Sequence, residues 1–296
     1  MYQVITVPHG AAEQIEQLGT KRKFWYDDER YLFKVGRPDT GENWAEKVCA
    51  EIAACLNLPH ASYDLATYEG RQGVVTPNFV PEGARLIHGN ELIGVVSTTE
   101  TNVRDLRRQL HTPRRVYLLL RQPAIEAPLG WVSPEGIRSS AEIYLGYLML
   151  DALVGNQDRH EENWALLLAS DGRLHLAPTF DHASSLGRNE TDEARLRKLA
   201  AGSPNHSVEA YVLRARSQLY DADQSRLGTY AALQQFGALV PAALTYWVER
   251  LRELRDDQIA SIFEQMPAEW MSQAARDFGF TMMRLNRERI LKGALP

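Results

Sequence analysis

Cysteine is nearly missing from this chain, which has only Cys49 and Cys55. They show neither redox-motif nor metal-ligand spacing, so a disulfide framework and a cysteine-built zinc site are excluded. Both read as small apolar residues on a helix. Long hydrophobic runs are also missing. The most apolar stretch, residues 143–154, is interrupted by Asp151 and is too short to span a bilayer. The N-terminus MYQVITVPHGAAEQ has no basic region ahead of an apolar segment. No secretory leader is therefore expected, and the expected compartment is cytoplasmic. Excess positive charge is lacking too: 33 Lys and Arg face 38 Asp and Glu, for a net charge of -5. That balance weighs against nucleic acid or a membrane surface as a direct partner. There is no G-x-G-x-x-G loop, and the eight histidines are scattered without ligand spacing. The remaining composition is that of an ordinary globular chain, with 44% hydrophobic residues over 296 positions. Such a chain has room for a large core and one or two domains.

The first part of the chain alternates strands with one helix. Residues 3–7, 24–26, 31–35, 63–65 and 73–77 read as strands. Residues 42–56 read as an amphipathic helix with Ala45, Val48, Ile52 and Leu56 along one side. Asn78 to Gly83 carries Pro and Gly after an apolar run and reads as a connection. Beyond it helices dominate: 102–111, 142–154, 207–219, 227–240, 241–254, 256–266 and 268–290. The pattern predicts an α+β molecule of two lobes, a small mixed α/β lobe over 1–82 and a larger, mainly helical lobe over 83–296. No internal repeat or low-complexity segment stands out.

Chemistry concentrates in Asp151-Ala-Leu-Val-Gly-Asn-Gln-Asp158-Arg-His160-Glu-Glu-Asn163, followed by Ala177-Pro-Thr-Phe180-Asp181-His182. An apolar helix with Ile143, Tyr147, Leu150 and Val154 along one stripe leads into it, and Gly155 stops that helix. Residues 164–168 and 174–176 read as two strands about an Asp-Gly turn. That hairpin would return Asp181 to Asn163. An Asp and an Asn five apart, then a second Asp, is what phosphoryl transfer needs. One carboxylate accepts the proton of the attacking hydroxyl, and an amide oxygen with a further carboxylate holds magnesium on the nucleotide phosphates. The familiar protein-kinase string is H-R-D-x-x-x-x-N. Here the spacing is kept, but the order is Asp158-Arg159-His160. Asp and Asn also settle into ordinary turns; the helix–loop–hairpin–Asp context favours the kinase reading.

A kinase also needs a cation for the phosphates. Lys34 sits mid-strand among apolar neighbours in YLFKV, and a helical Glu normally fixes such a lysine. Glu42, Glu46 and Glu51 all compete for that role. The best phosphate-loop candidate is Gly19-Thr20-Lys21-Arg22-Lys23, a single glycine with a hydroxyl and three cations. His160 is read as a contact to the nucleotide phosphates, as a support for the loop, or as a core histidine bonded to backbone. Asp151 is given no catalytic role.

These residues resemble the HipA-like serine/threonine kinases, the toxin components of bacterial toxin–antitoxin modules. The family's D-x-H-x-x-N resembles Asp158 to Asn163, and its P-x-Y-D resembles Pro178-Thr-Phe180-Asp181. The helix ending L-A-x-x-L-G-L-P is similar to Ile52 through Pro59, and counting back from Pro59 the resemblance selects Glu46. The phosphate loop G-A-Q-x-K resembles Gly19 to Lys23, and the hinge strand that meets adenine matches Pro77-Asn78-Phe79. Ala45 stands where the family has Asn, and no serine precedes Gly19. Many relatives carry an extra N-terminal subdomain; this chain resembles the short forms without it.

The resemblance implies a two-lobed protein-kinase-like fold and an ATP- and Mg2+-dependent protein kinase. Asp158 is the expected base, and Asn163 and Asp181 the expected metal ligands. The expected ATP-binding set is Gly19, Thr20, Lys21, Lys23, Lys34, Glu46, Pro77, Asn78, Phe79, His160 and Phe180. It further implies a translation-related protein substrate, such as an aminoacyl-tRNA synthetase, and a small helix-turn-helix antitoxin. Two alternatives remain: a phosphoinositide-type or other small-molecule kinase, whose G-x-x-D-R-H-x-x-N also resembles Gly155 to Asn163, and a nucleotide-binding pseudokinase used as an interaction module. The segment from Gly187 to Pro204 is expected to be a mobile polar loop with at most one helical turn, contacting substrate through Arg195, Arg197 and Lys198.

Overall fold

A computed structural model describes residues 1–12, 14–15, 23–94, 100–201 and 204–293. The first part holds β1 (Val4–Thr6), β2 (Gln14–Ile15), β3 (Lys23–Tyr26), β4 (Tyr31–Val35), α1 (Glu42–Cys55), β5 (Asp64–Tyr68) and β6 (Arg71–Pro77). The strands form one sheet in the order β1-β5-β6-β4-β3-β2. Only the β1–β5 pairing is parallel; each of the others is antiparallel. Side chains alternate across a strand, so the two faces differ. Phe24, Phe33, Ala66 and Val75 build a small core with Val7 on one face. Lys34, one residue on, lies on the other face. There it stands opposite Val74 on β6 and opposite Lys23 on β3.

The chain continues with β7 (Arg85–His88), α2 (Gly89–Ile93), α3 (Glu100–Leu110), α4 (Pro113–Leu120), β8 (Ile125–Glu126) and α5 (Ser140–Val154). Then come β9 (Ala165–Leu168), β10 (Leu174–Leu176), α6 (Asp192–Ala200), α7 (Val208–Val212), β11 (Arg216–Tyr220) and β12 (Arg226–Gly228). The last helices are α8 (Thr229–Gly237), α9 (Pro241–Glu253), α10 (Asp256–Glu264) and α11 (Gln273–Gly293). β9 and β10 form the expected hairpin, extended by β7 and β8 into a four-stranded sheet.

The helix α5 is the axis of this half. Ser139 and Glu142 close a capping box at its start, and Gly155 ends it in the left-handed conformation at φ +65°. It was expected to bury one stripe; instead every residue but Glu142 is buried, because other helices surround it. Its core runs without a break into α1, whose Val48 and Ile52, with Leu56 just past its end, belong to the same cluster as Tyr144, Leu148 and Trp247. No helix among the described residues is long and apolar enough to cross a membrane.

Three expectations on the helical part need correction. Residues 207–219 are not one helix. α7 stops at Val212, and Arg216–Tyr220 alternates exposed and buried residues up to Leu219 before pairing with β12. The segment from Gly187 is not an irregular loop throughout either. It contains α6, capped by Thr191, whose Oγ1 accepts from the Ala194 amide. Acidic residues fill the first turn of α6 and basic ones its last, as the helix dipole favours. The final helix begins at Gln273 rather than 268.

Candidate active site

The loop after α5 is fixed by its own polar side chains. Asn156 donates to Asp151 Oδ1 at 2.8 Å, and its Oδ1 accepts from the Asp158 amide at 3.1 Å. The Asp158 carbonyl accepts from the His160 amide at 2.8 Å and from Asn163 Nδ2 at 2.6 Å. That bond uses the Asn163 nitrogen, so its side-chain oxygen is the atom that could ligate a metal. The Asp158 side chain is 44% exposed, the openness a base for an incoming hydroxyl requires. Ser184 Oγ lies 3.4 Å from its Oδ2, and His160 Nε2 lies 3.8 Å from its Oδ1. His160 otherwise accepts the Glu162 amide through Nδ1 at 3.1 Å.

Arg159 joins this loop to the Asp181 segment. Its Nε and Nη2 grip both oxygens of Asp151 at 2.8 and 2.9 Å. Nη1 donates to the carbonyls of Asn163 at 2.6 Å and Phe180 at 3.4 Å. Nη2 also meets Thr179 Oγ1 at 2.9 Å and His182 Nε2 at 3.0 Å. Burial disfavours the charge, yet Asp151 outweighs it and the guanidinium pKa is raised. An arginine can only donate, so His182 Nε2 is an unprotonated acceptor. Burial first, then the Arg159 cation, hold the His182 pKa well below its ordinary value. Sequence reading missed Arg159. The available signal was Asp151, a lone carboxylate in an apolar helix that needed a buried cation.

Asp181 is held at φ +59°. Its amide donates to the Tyr63 hydroxyl at 3.3 Å, and Lys34 Nζ lies 3.4 Å from that same oxygen. Lys34 Nζ is 3.7 Å from Glu46 Oε1. Burial works against its charge, but Asp181, Tyr63 and Glu46 prevail and the lysine pKa is raised. The other two glutamates turn elsewhere: Glu42 to Arg37 and Arg188, Glu51 to Lys47. A space of about 210 Å³, open to solvent, adjoins Lys34 and is lined also by Gly36, Glu42, Asn43, Glu46 and Ala183.

Beyond the end of β6, Phe79 and Phe180 rings lie 5.8 Å apart, and His88 meets Phe180 edge-on at 6.2 Å. Pro77 ends β6 opposite Tyr31. The Asn78 amide donates to the Arg30 carbonyl at 2.7 Å and its Nδ2 to the Glu29 carbonyl at 3.1 Å. Asn78 therefore ties the end of β6 to the β3–β4 turn. Gly19, Thr20 and Lys21 lie outside the described residues; Lys23 stands across the ladder from Lys34. Arg195, expected to touch substrate, is buried. It bonds Asp192 at 2.7 Å and the Gly187 carbonyl at 3.2 Å. Lys198 is paired with Glu190, while Arg197 is exposed.

Comparison with known proteins supplies the family. The HipA-like C-terminal domain matches residues 16–274. The serine/threonine-protein kinase CtkA of Helicobacter pylori strain J99 is 23% identical over 92% of this chain and 81% of its own length. The crystal structure of the H. pylori proinflammatory kinase CtkA superposes over 100% of both chains with a TM-score of 0.67 at 21% identity. HipA from the Shewanella oneidensis MR-1 toxin–antitoxin complex with HipB and operator DNA superposes with a TM-score of 0.58 at 13% identity. That match covers 94% of this chain and 65% of HipA. The fold is thus two-lobed and protein-kinase-like, and the chain belongs to the HipA-like kinase family.

Proposed function

We propose that this chain is an ATP- and magnesium-dependent protein kinase that phosphorylates a serine or threonine. One observation carries the reading: Lys34, paired with Glu46, lies in the field of Asp181, and Arg159 ties the Asp181 segment to the Asp158–Asn163 loop. Lys34 binds and orients the phosphates, with Glu46 and Tyr63 fixing its amine. Asp158 accepts the proton of the acceptor hydroxyl as its oxygen bonds to phosphorus and ADP leaves. Asn163 and Asp181 would hold magnesium, which neutralises phosphate charge when bound. The donor set fits that ion. Among the described residues no cluster of three or more His, Cys, Asp or Glu side chains is poised for a metal. One carboxylate and one amide oxygen, completed by phosphate and water, suit a cation that prefers oxygen and keeps its waters.

Pro77 to Phe79, Phe180 and His160 would face the nucleotide between lobes bounded near residue 82, and Gly19 to Lys23 would cover its phosphates. Kinship with a HipA solved beside HipB supports a small antitoxin partner, and a translation-related target phosphorylated in the cytoplasm belongs to the same proposal. The test is transfer of labelled γ-phosphate by the wild type beside Asp158→Ala, with phosphoproteomics of expressing cells to find the target. Asp158→Ala should lose roughly 100-fold or more in rate while binding ATP normally. Equal transfer by the two proteins would overturn the assignment.

A further inference from the structure

The helix α1 carries two buried carboxylates one turn apart. Glu46 faces Lys34. Glu42, 2% exposed, accepts from Arg37 Nη1 at 2.8 Å and from the Arg37 amide at 3.1 Å. Its Oε1 also accepts from Arg188 Nη1. Arg188 is thus a second cation on this carboxylate. What it adds is a tie between segments 146 residues apart. The Arg188 carbonyl strengthens that tie by accepting the Gly41 amide at 2.9 Å.

The contacts continue toward the chemistry. Arg188 Nη2 donates to Ser184 Oγ at 3.1 Å, and Ser184 Oγ donates to Asp158 Oδ2 at 3.4 Å. Engaging Oδ2 leaves Oδ1 as the oxygen that receives the acceptor's proton. We propose that Glu42, Arg188 and Ser184 are positioning residues that orient the Asp158 carboxylate. The same helix then aligns the phosphate-binding lysine through Glu46 and the base through Glu42. A shift of α1 would displace both groups together, so the lysine and the base are set in register by one rigid element. This relay rests on the kinase reading above.

The test uses the full chain with Mg–ATP, taking myelin basic protein as surrogate acceptor and water as the acceptor-free control. Mant-ATP displacement measures nucleotide affinity separately. Ser184→Ala removes a single oxygen and Arg188→Ala a cation. Each should lower kcat about tenfold or more, since small displacements of reacting groups are costly, while ATP affinity stays within twofold. Ser184→Thr should restore the rate, and the Ser184→Ala/Arg188→Ala double variant should be no slower than the slower single. Unchanged kcat in both single variants, or parallel losses of kcat and ATP affinity, overturns the relay and leaves the kinase reading standing. A wild type that transfers phosphate neither to protein nor to water overturns the kinase reading, and the relay with it.

Discussion

A buried guanidinium is costly unless every donor is answered, and Arg159, 1% exposed, is answered on all sides. Its planar fork spans the two oxygens of Asp151, while its remaining donors collect the Asn163 and Phe180 carbonyls. Lysine has the charge but not the fork. Arg159→Lys should therefore destabilise the protein by about 3 kcal/mol and reduce transfer, because the Asp158 and Asp181 segments lose their common anchor. Urea midpoints together with kcat check it, and an unchanged midpoint would refute the anchoring role. At this scale the sequence marked the proposed reacting groups but not their support. Asp158, Asn163 and Asp181 are legible because their spacing along the chain reflects local loop geometry. Arg159 is not, since its partners come from α5, the loop and the segment before Asp181. Tyr63, which touches both Lys34 and the Asp181 amide, was hidden for the same reason.

Among the elements, α1 carries the argument furthest. Three glutamates on it were equivalent by composition. The helical turn and the sheet face chose among them, placing Glu46 against Lys34 and turning Glu51 to Lys47. If the contact matters for binding, Lys34→Met and Glu46→Gln should be non-additive in ATP affinity by about 0.5–3 kcal/mol. Titration of the two single variants and the double variant measures this, and additive losses would show that the residues act independently. Strands β4 and β6 and helices α1 and α5 were readable because their periodicity is long and their ends are marked, as at Gly155. α6 is longer than the single turn its polar composition suggests, although Thr191, two acids and two bases mark its ends. Thr191→Ala should cost roughly 1 kcal/mol, seen as a lower melting temperature. No change would mean that α6 is held by Arg195 and its packing rather than by its cap. β11 was misread because Val208 to Leu219 is apolar enough to mimic a helix, and only the pairing with β12 separates the two.

The molecule as a whole rests on a core that continues from α1 into the helical half, and that half buries two histidines, His111 and His182, that resist protonation. His111, fully buried, takes the Trp164 indole proton on Nε2 at 3.1 Å. Its Nδ1 therefore carries the hydrogen that reaches the Gln218 carbonyl at 2.9 Å. Burial lowers its pKa from 6.5 to about 4, despite the nearby Glu161 carboxylate. His182 is lowered as well, by burial and by Arg159. Above about pH 6.5 both histidines are neutral in the folded and the unfolded chain, so neither makes stability depend on pH. Below that value the unfolded chain binds protons that the folded chain refuses. Stability then falls with falling pH, at up to about 1.4 kcal/mol per pH unit for His111 alone, until its folded pKa near 4 is passed. Urea unfolding at pH 7.5 and 5.5 should show a clearly lower midpoint at the acid value. His111→Gln keeps an amide acceptor and donor in place of the ring. It should start from a lower midpoint at pH 7.5 and lose less on acidification, because one of the two proton sinks of the unfolded chain is gone. A wild-type midpoint that does not move between these pH values would mean that the buried rings are protonated in the fold, contrary to the Trp164–His111 and Arg159–His182 geometry.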